Sequence, residues 1–285
     1  MLKRTITGAI YVAIIVGFFL LRDYADYRLF NVLICAFCLL CTFEVARAVK
    51  RYLYNGNFVL AVSFGIIFVP IFCVFEYLTA IRGAYACLIF CACLILAQAV
   101  VTFIKRKTFT VFCVNALPFI YPALLLLSML CANGLGNKTG FIALLLIFVI
   151  SPCADTFAYL VGMTYNKIRK GKAKKMCPHL SPKKTWAGAI GGVIGGIVGA
   201  LVIYFAVDKA VLSGAKISLP LAFMLIGAVA SVLTEIGDLF ESYIKRKVGI
   251  KDIGKIMPGH GGIMDRIDGM TFAAVFVYII FVVLM

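Results

Sequence analysis

Charged residues are scarce in this chain. They make up 14% of its 285 residues, whereas soluble domains carry about 25%. That shortage excludes an ordinary water-soluble domain. Low hydrophobicity, which disorder requires, is missing too, because 64% of residues are hydrophobic and the mean hydropathy is +1.06. No short repeat is present, and this excludes collagen-like and low-complexity chains. What remains is a multi-span membrane protein. At roughly 20 residues per helix plus connections, the length allows about eight to ten spans.

Histidine accompanies none of the clustered cysteines, so the cysteines do not read as a metal centre. Of eleven, only Cys177 sits in a polar loop, and the others fall in apolar segments. Cys35, Cys38 and Cys41 recur every three residues without a further polar ligand, and small apolar packing residues are the favoured reading.

Apolar runs of spanning length fall at about 5–21, 29–49, 58–78, 83–104, 109–132, 140–162, 187–207, 218–240 and 268–285. The first follows Lys3-Arg4 and has no small-residue cleavage site leading into a polar chain, so it reads as a retained anchor. The chain carries a net charge of +16, from 28 Lys and Arg against 12 Asp and Glu. With nine spans, the side holding the N-terminus collects 22 of the 28 cations; the other side holds Arg22, Arg28, Arg82, Lys138, Lys209 and Lys216. The positive-inside rule then puts the N-terminus in the cytoplasm and the C-terminus outside, in the cell (inner) membrane. A missed span would scramble this alternation. The expected fold is an all-α polytopic helical bundle, since lipid leaves no backbone polar group unpaired and the segments are too long for barrel strands. The expected division is five helices over 1–145 and a catalytic region over 146–285, with cytosolic loops at 163–186 and 241–264. In the seventh segment Gly188, Gly191, Gly192, Gly195, Gly196 and Gly199 make overlapping small-residue steps, read as close helix packing.

Ionisable residues inside spans are costly and usually mark a site or a buried pair. The acidic ones are Glu44, Glu76, Asp155, Glu235, Asp238, Glu241, Asp265 and Asp268. All but Glu76 lie toward the cytoplasmic ends, with Asp155 roughly 10 Å from the inner end of its segment. Glu44 is expected to pair with Arg47 one turn along. Glu235, Asp238, Glu241 and Ser242 share one face of the eighth segment. Asp265 and Asp268 lie three residues apart after the turn-rich Pro258-Gly259-His260-Gly261-Gly262. Such carboxylates suit Mg²⁺, which binds through one or two of them plus substrate phosphates. Salt bridges with Lys245, Arg246, Lys247 and Arg266 are the competing reading. The loop 163–186 favours phosphate. Its cations from 167 to 175 read as a solvated stripe facing anionic lipid. Ser181-Pro182-Lys183-Lys184-Thr185 instead gathers hydroxyls and ammonium groups before a helix N-terminus, where an anion is favoured.

Ser242-Tyr243-Ile244-Lys245-Arg246, Lys251-Asp252 and Pro258 through Asp268 together resemble the signature of the phosphatidate cytidylyltransferases, or CDP-diacylglycerol synthases. Asp155-Thr156-Phe157-Ala158-Tyr159, the Ser181–Thr185 run and Gly237-Asp238-Leu239-Phe240-Glu241-Ser242 match as well. The resemblance covers about 150–270; before 145 it extends only to the many-helix pattern. It implies an enzyme of phospholipid biosynthesis that joins CTP and phosphatidic acid into CDP-diacylglycerol, releasing pyrophosphate, with Mg²⁺ and in some members K⁺. By the same resemblance Asp238, Asp265 and Asp268 hold the metal. Ser181, Lys183, Lys184 and Arg266 hold phosphates, and Lys245, Arg246, Lys251 and His260 support them. Asp155 orients a lysine or approaches the metal through water, and Thr185 and Ser242 complete the substrate-binding set. A homodimer is consistent with the family and with the glycine-rich helix. The family usually reads Ser-Pro-Lys-Lys-Thr-x-Glu-Gly, and here Ala187 replaces the Glu, a change expected to weaken the nucleotide site. The rivals are CDP-archaeol synthesis, a CTP-dependent lipid kinase, and a cation transporter. A transporter would scatter its charges near the midplane and show repeated halves, and neither feature is present.

Overall fold

The structure is a computed structural model describing residues 2–50, 57–79, 82–212 and 218–284. Arg51 and Lys216, counted in the charge partition, lie outside these residues, as do the side chains of Lys3 and Arg4. Nine α-helices are present among the described residues: α1 (Leu2–Tyr24), α2 (Phe30–Ala48), α3 (Asn57–Leu78), α4 (Gly83–Ile104), α5 (Phe109–Asn133), α6 (Asn137–Ile168), α7 (Trp186–Ala206), α8 (Leu219–Val248) and α9 (Met264–Leu284). Each is long and apolar enough to cross a membrane. The chain is an all-α polytopic membrane bundle.

Most helix ends fall within a few residues of expectation. The exceptions are α6 and α8, with 32 and 30 residues. At about 1.5 Å per residue these helices are roughly 45–48 Å long, beyond the ~30 Å hydrocarbon core. A hydropathy run stops where charge begins; the i→i−4 hydrogen bonding does not. The added turn of α8 carries Lys245, Arg246 and Lys247 at the negative end of the helix dipole. Gly249 follows with φ of 75°, the left-handed stop that glycine adopts most easily.

Two compact units divide the chain. The first comprises Met1–Cys131 and Val248–Arg266. Its core is centred on α2, where Phe30, Leu33, Ile34, Phe37, Cys38, Cys41 and Val45 are buried at helical spacing. Phe64 of α3 stacks on Phe90 with ring centroids 5.4 Å apart and meets Phe119 edge-on at 5.2 Å. All eleven cysteines are free, and Cys38, Cys41, Cys87 and Cys91 are buried, as packing residues would be.

The second unit comprises Ala132–Lys247 and Ile267–Met285. Here α7 lies between α6 and α8, and its glycines let the backbones approach. A Cβ at Gly195 would come within 2.6 Å of the Phe157 Cβ on α6, and one at Gly196 within 2.6 Å of the Gly227 carbonyl on α8. These steps are consumed by packing within the chain, so they lend no support to a dimer. The loop after α6 is not wholly irregular. Lys175–Cys177 (β1) and Ser181–Thr185 (β2) form an antiparallel hairpin, with Lys175 opposite Thr185 and Cys177 opposite Ser181.

Candidate active site

The second unit brings charged groups from four elements together. On α8, Asp238 and Glu241 are three residues apart and so share a face. Asp268 stands on α9. One carboxylate oxygen from each of these residues lies within 4.8 Å of the others. Backbone contact explains the convergence: a Cβ on Gly237 would sit 2.8 Å from the Asp268 carbonyl oxygen, and one on Gly269 would sit 2.6 Å from Thr234 Cγ2. Small residues at a helix crossing permit such close approach.

Lysines interleave with these acids. The Lys184 ammonium reaches Asp238 at 2.7 Å and Glu235 at 3.2 Å, and Lys245 pairs with Glu241 one turn back on α8. Strand geometry separates Lys184 from its neighbour, because successive side chains point to opposite faces. Lys183 is exposed, and Lys184 is half-buried. Burial pulls the Lys184 pKa down, but the Asp238 and Glu235 carboxylates outweigh it and raise the value, so the ammonium stays charged. Asp155 of α6 completes the group, with Asp268, Asp238, Lys184 and Glu235 as its electrostatic neighbours. Five carboxylates thus surround two ammonium groups. The surplus of negative oxygen donors is the chemistry a hard divalent cation requires.

Other residues singled out from the sequence have different surroundings. Thr185 is buried and caps α7, its hydroxyl accepting the Gly188 N–H at 3.1 Å. Ser181 is half-buried at the start of β2, and Ser242 is buried on α8. Arg246 is exposed, and its Nε donates to the Leu180 carbonyl at 3.4 Å, bracing the turn before Ser181.

Asp265, His260, Lys251 and Arg266 belong to the first unit. Lys251 and Arg266 are exposed. His260 Nδ1 lies 2.7 Å from the Thr7 hydroxyl of α1. The Asp265 carboxylate accepts backbone N–H bonds from Gly262 at 2.8 Å, Ile253 at 3.1 Å and Gly254 at 3.3 Å. Glu44 departs from expectation. Its carboxylate accepts the Met264 N–H at 2.9 Å instead of pairing with Arg47. The amides at the start of α9 are poorer in alternatives than an exposed arginine, and a buried donor left unmet costs about 1–3 kcal/mol.

Sequence reasoning placed Glu235 and Glu241 on the acidic face of α8 but gave neither a place in the site. The signal was their three-residue spacing from Asp238. For Glu44 and Thr7 the partners are more than 200 residues away, and no local pattern marks them.

Residues 2–284 match the Cytidylyltransferase family. The chain belongs to that family. It is 36% identical to a phosphatidate cytidylyltransferase of Brucella melitensis over 142 residues, 49% of this chain and 47% of the relative. The corresponding figures are 36% over 149 residues for the Mycobacterium bovis protein (52% and 43%), and 36% over 140 residues for that of Thermotoga maritima (49% of each). The aligned region thus spans about half the length of the curated relatives it matches.

Proposed function

We propose that the chain transfers the cytidylyl group of CTP to phosphatidic acid, giving CDP-diacylglycerol and pyrophosphate. The observation that carries this reading is the Asp238, Glu241 and Asp268 cluster with Lys184 and Lys245 set into it, in a chain of the cytidylyltransferase family. Phosphatidate already bears an anionic oxygen, so its attack needs no strong base. That oxygen forms a bond to the α-phosphorus of CTP as the bond to the β-phosphate oxygen breaks, and pyrophosphate leaves with the electron pair. Positioning and charge neutralisation supply the catalysis.

The residues divide this work. Lys183 and Ser181, on the accessible part of β2, bind phosphate oxygens, and Arg246 holds the preceding turn while adding its own charge. Lys184 is fixed by its two carboxylates and keeps Asp238 aimed. Lys245 does the same for Glu241. Lys251, Arg266 and His260 are assigned to the substrates by the family resemblance. Asp238 and Asp268, with Glu241 beside them, would hold Mg²⁺, which supplies Lewis-acid neutralisation of phosphate charge when bound. Asp265 is named with them by the resemblance. K⁺ in addition to Mg²⁺ belongs to the same reading.

The 22 to 6 charge partition supports a cytoplasmic N-terminus in the cell membrane. The termini of α6, α7, α8 and α9 that carry the site then face the cytosol, where CTP is found. The test is pyrophosphate release by purified membranes given labelled CTP with diacyl or ether-linked phosphatidate. Release that depends on CTP, diacyl phosphatidate and Mg²⁺ is expected. Release only with the ether lipid would move the assignment to archaeol, and no lipid-dependent release would defeat it.

A further inference from the structure

Glu44 lies on α2, outside every motif that resembles the family, yet it grips the most motif-rich loop of the chain. Both belong to the first unit. The side chain is buried, with 1% of the residue exposed. One oxygen accepts the N–H of Met264, the first residue of α9, at 2.9 Å. The other oxygen, Oε1, is buried with no hydrogen-bond partner among the described residues. Gly254 and Gly262 lie against it so closely that a Cβ on either would overlap its atoms. The Asp265 carboxylate binds amides of the same loop, those of Ile253, Gly254 and Gly262. Residues 253–264 are therefore strung between two carboxylates, and both glycines contact each of them.

The chemistry argues that the charge is there for a purpose. Burying a carboxylate is costly, and an apolar side chain of similar volume is commonly the more stable filler. Here part of the cost is offset by the Met264 amide at a helix N-terminus, where the dipole favours negative charge. A single directional bond, from the Met264 amide to Oε2, fixes direction as well as energy. What it holds is the first turn of α9, which carries Asp265 and Arg266.

We propose that Glu44 is a positioning residue for the reaction: it sets the first turn of α9 and thereby the placement of Asp265 and Arg266. It touches no substrate. Its role presupposes the cytidylyl transfer proposed above.

The experiment compares the full-length wild type with Glu44→Gln, and with Glu44→Asp as the milder change should Gln not fold, all in detergent with phosphatidate micelles. Glutamine keeps one acceptor for Met264 but loses the charge and the second acceptor. The kcat for CTP-dependent pyrophosphate release should fall by about ten- to a hundredfold, the scale expected when reacting groups shift by about 1 Å. The KM for CTP should change less than kcat, because Arg266 is displaced while the phosphate-binding residues of β2 are untouched. Hydrogen exchange supplies a second readout. Amides within 253–264 should exchange faster in the variant, and those of the β1–β2 hairpin should not. An unchanged kcat, or faster exchange throughout the protein, would overturn the proposal, the latter by showing a general folding defect. A wild type that makes no pyrophosphate would defeat the transferase reading instead. The exchange comparison then judges Glu44 by itself, and an unchanged loop counts against it.

Discussion

The Lys184 ammonium stands 2.7 Å from the Asp238 carboxylate and bridges to Glu235 one turn earlier on α8. Replacing it by Met leaves those acids facing one another without their cation. A fully buried pair broken this way loses about 3–5 kcal/mol. The Lys184 and Asp238 side chains are 21% and 36% exposed, so solvent screening reduces the expected loss to about 1–2 kcal/mol. Activity should fall much further than stability, read as kcat against thermal unfolding in detergent.

The pH dependence of that pair has a definite sign. The folded pKa of Lys184 is raised, so its stabilisation is complete below the unfolded lysine value of about 10.4 and fades only as pH rises through the higher folded value. Between about pH 6 and 9 its contribution is constant. An alkaline limb in the wild-type rate profile within that window that vanishes in Lys184→Met would contradict this.

Asp268→Asn and Asp265→Asn should both abolish activity but should differ in stability. Asp268 belongs to the three-carboxylate cluster, so its variant should lose Mg²⁺-induced thermal stabilisation. Asp265 is engaged by three loop amides, and an amide group there turns donors toward donors. Hydrogen bonds to a charged group contribute about 1.5–3 kcal/mol, so Asp265→Asn should lower the unfolding temperature and speed amide exchange in 253–264. Normal activity in either variant defeats its assignment.

Ala187→Glu restores the residue usual in the family at the first turn of α7. A carboxylate there also meets the positive end of the helix dipole, a gain of about 0.3–1 kcal/mol. A several-fold rise in kcat/KM for CTP is the expected outcome. No change in CTP turnover would count against a weakened nucleotide site.

The orientation can be read with a single thiol. In a variant retaining only Cys177, on β1 between α6 and α7, an impermeant maleimide should label inside-out vesicles and spare right-side-out ones. The reverse pattern would invert the topology.

The sequence made the helices legible because lipid imposes one rule, a run of about 20 apolar residues, on every span. The acidic face of α8 was legible for a similar reason, since three- and four-residue spacing has only one meaning on a helix. The hairpin was not. Lys175 and the Ser181–Thr185 run have no apolar alternation, and their pairing depends on a turn that charge patterning does not reveal. Local spacing points Glu44 to Arg47, because spacing is visible in a sequence and tertiary partners are not. Its actual partner lies 220 residues away.

The crossing of α8 and α9 at Gly237 and Gly269 has a consequence for anyone redesigning the chain. Replacing glycine by alanine within a helix ordinarily stabilises a protein by restricting the unfolded chain. At these two positions that route is closed, since each added methyl would strike main-chain atoms of the facing helix. Neither site can accept a side chain unless the facing helix shifts. The distance between the Asp238 and Asp268 backbones is therefore a property of the main chain, and an ion shared by the carboxylates would have its size limited by two absent methyl groups.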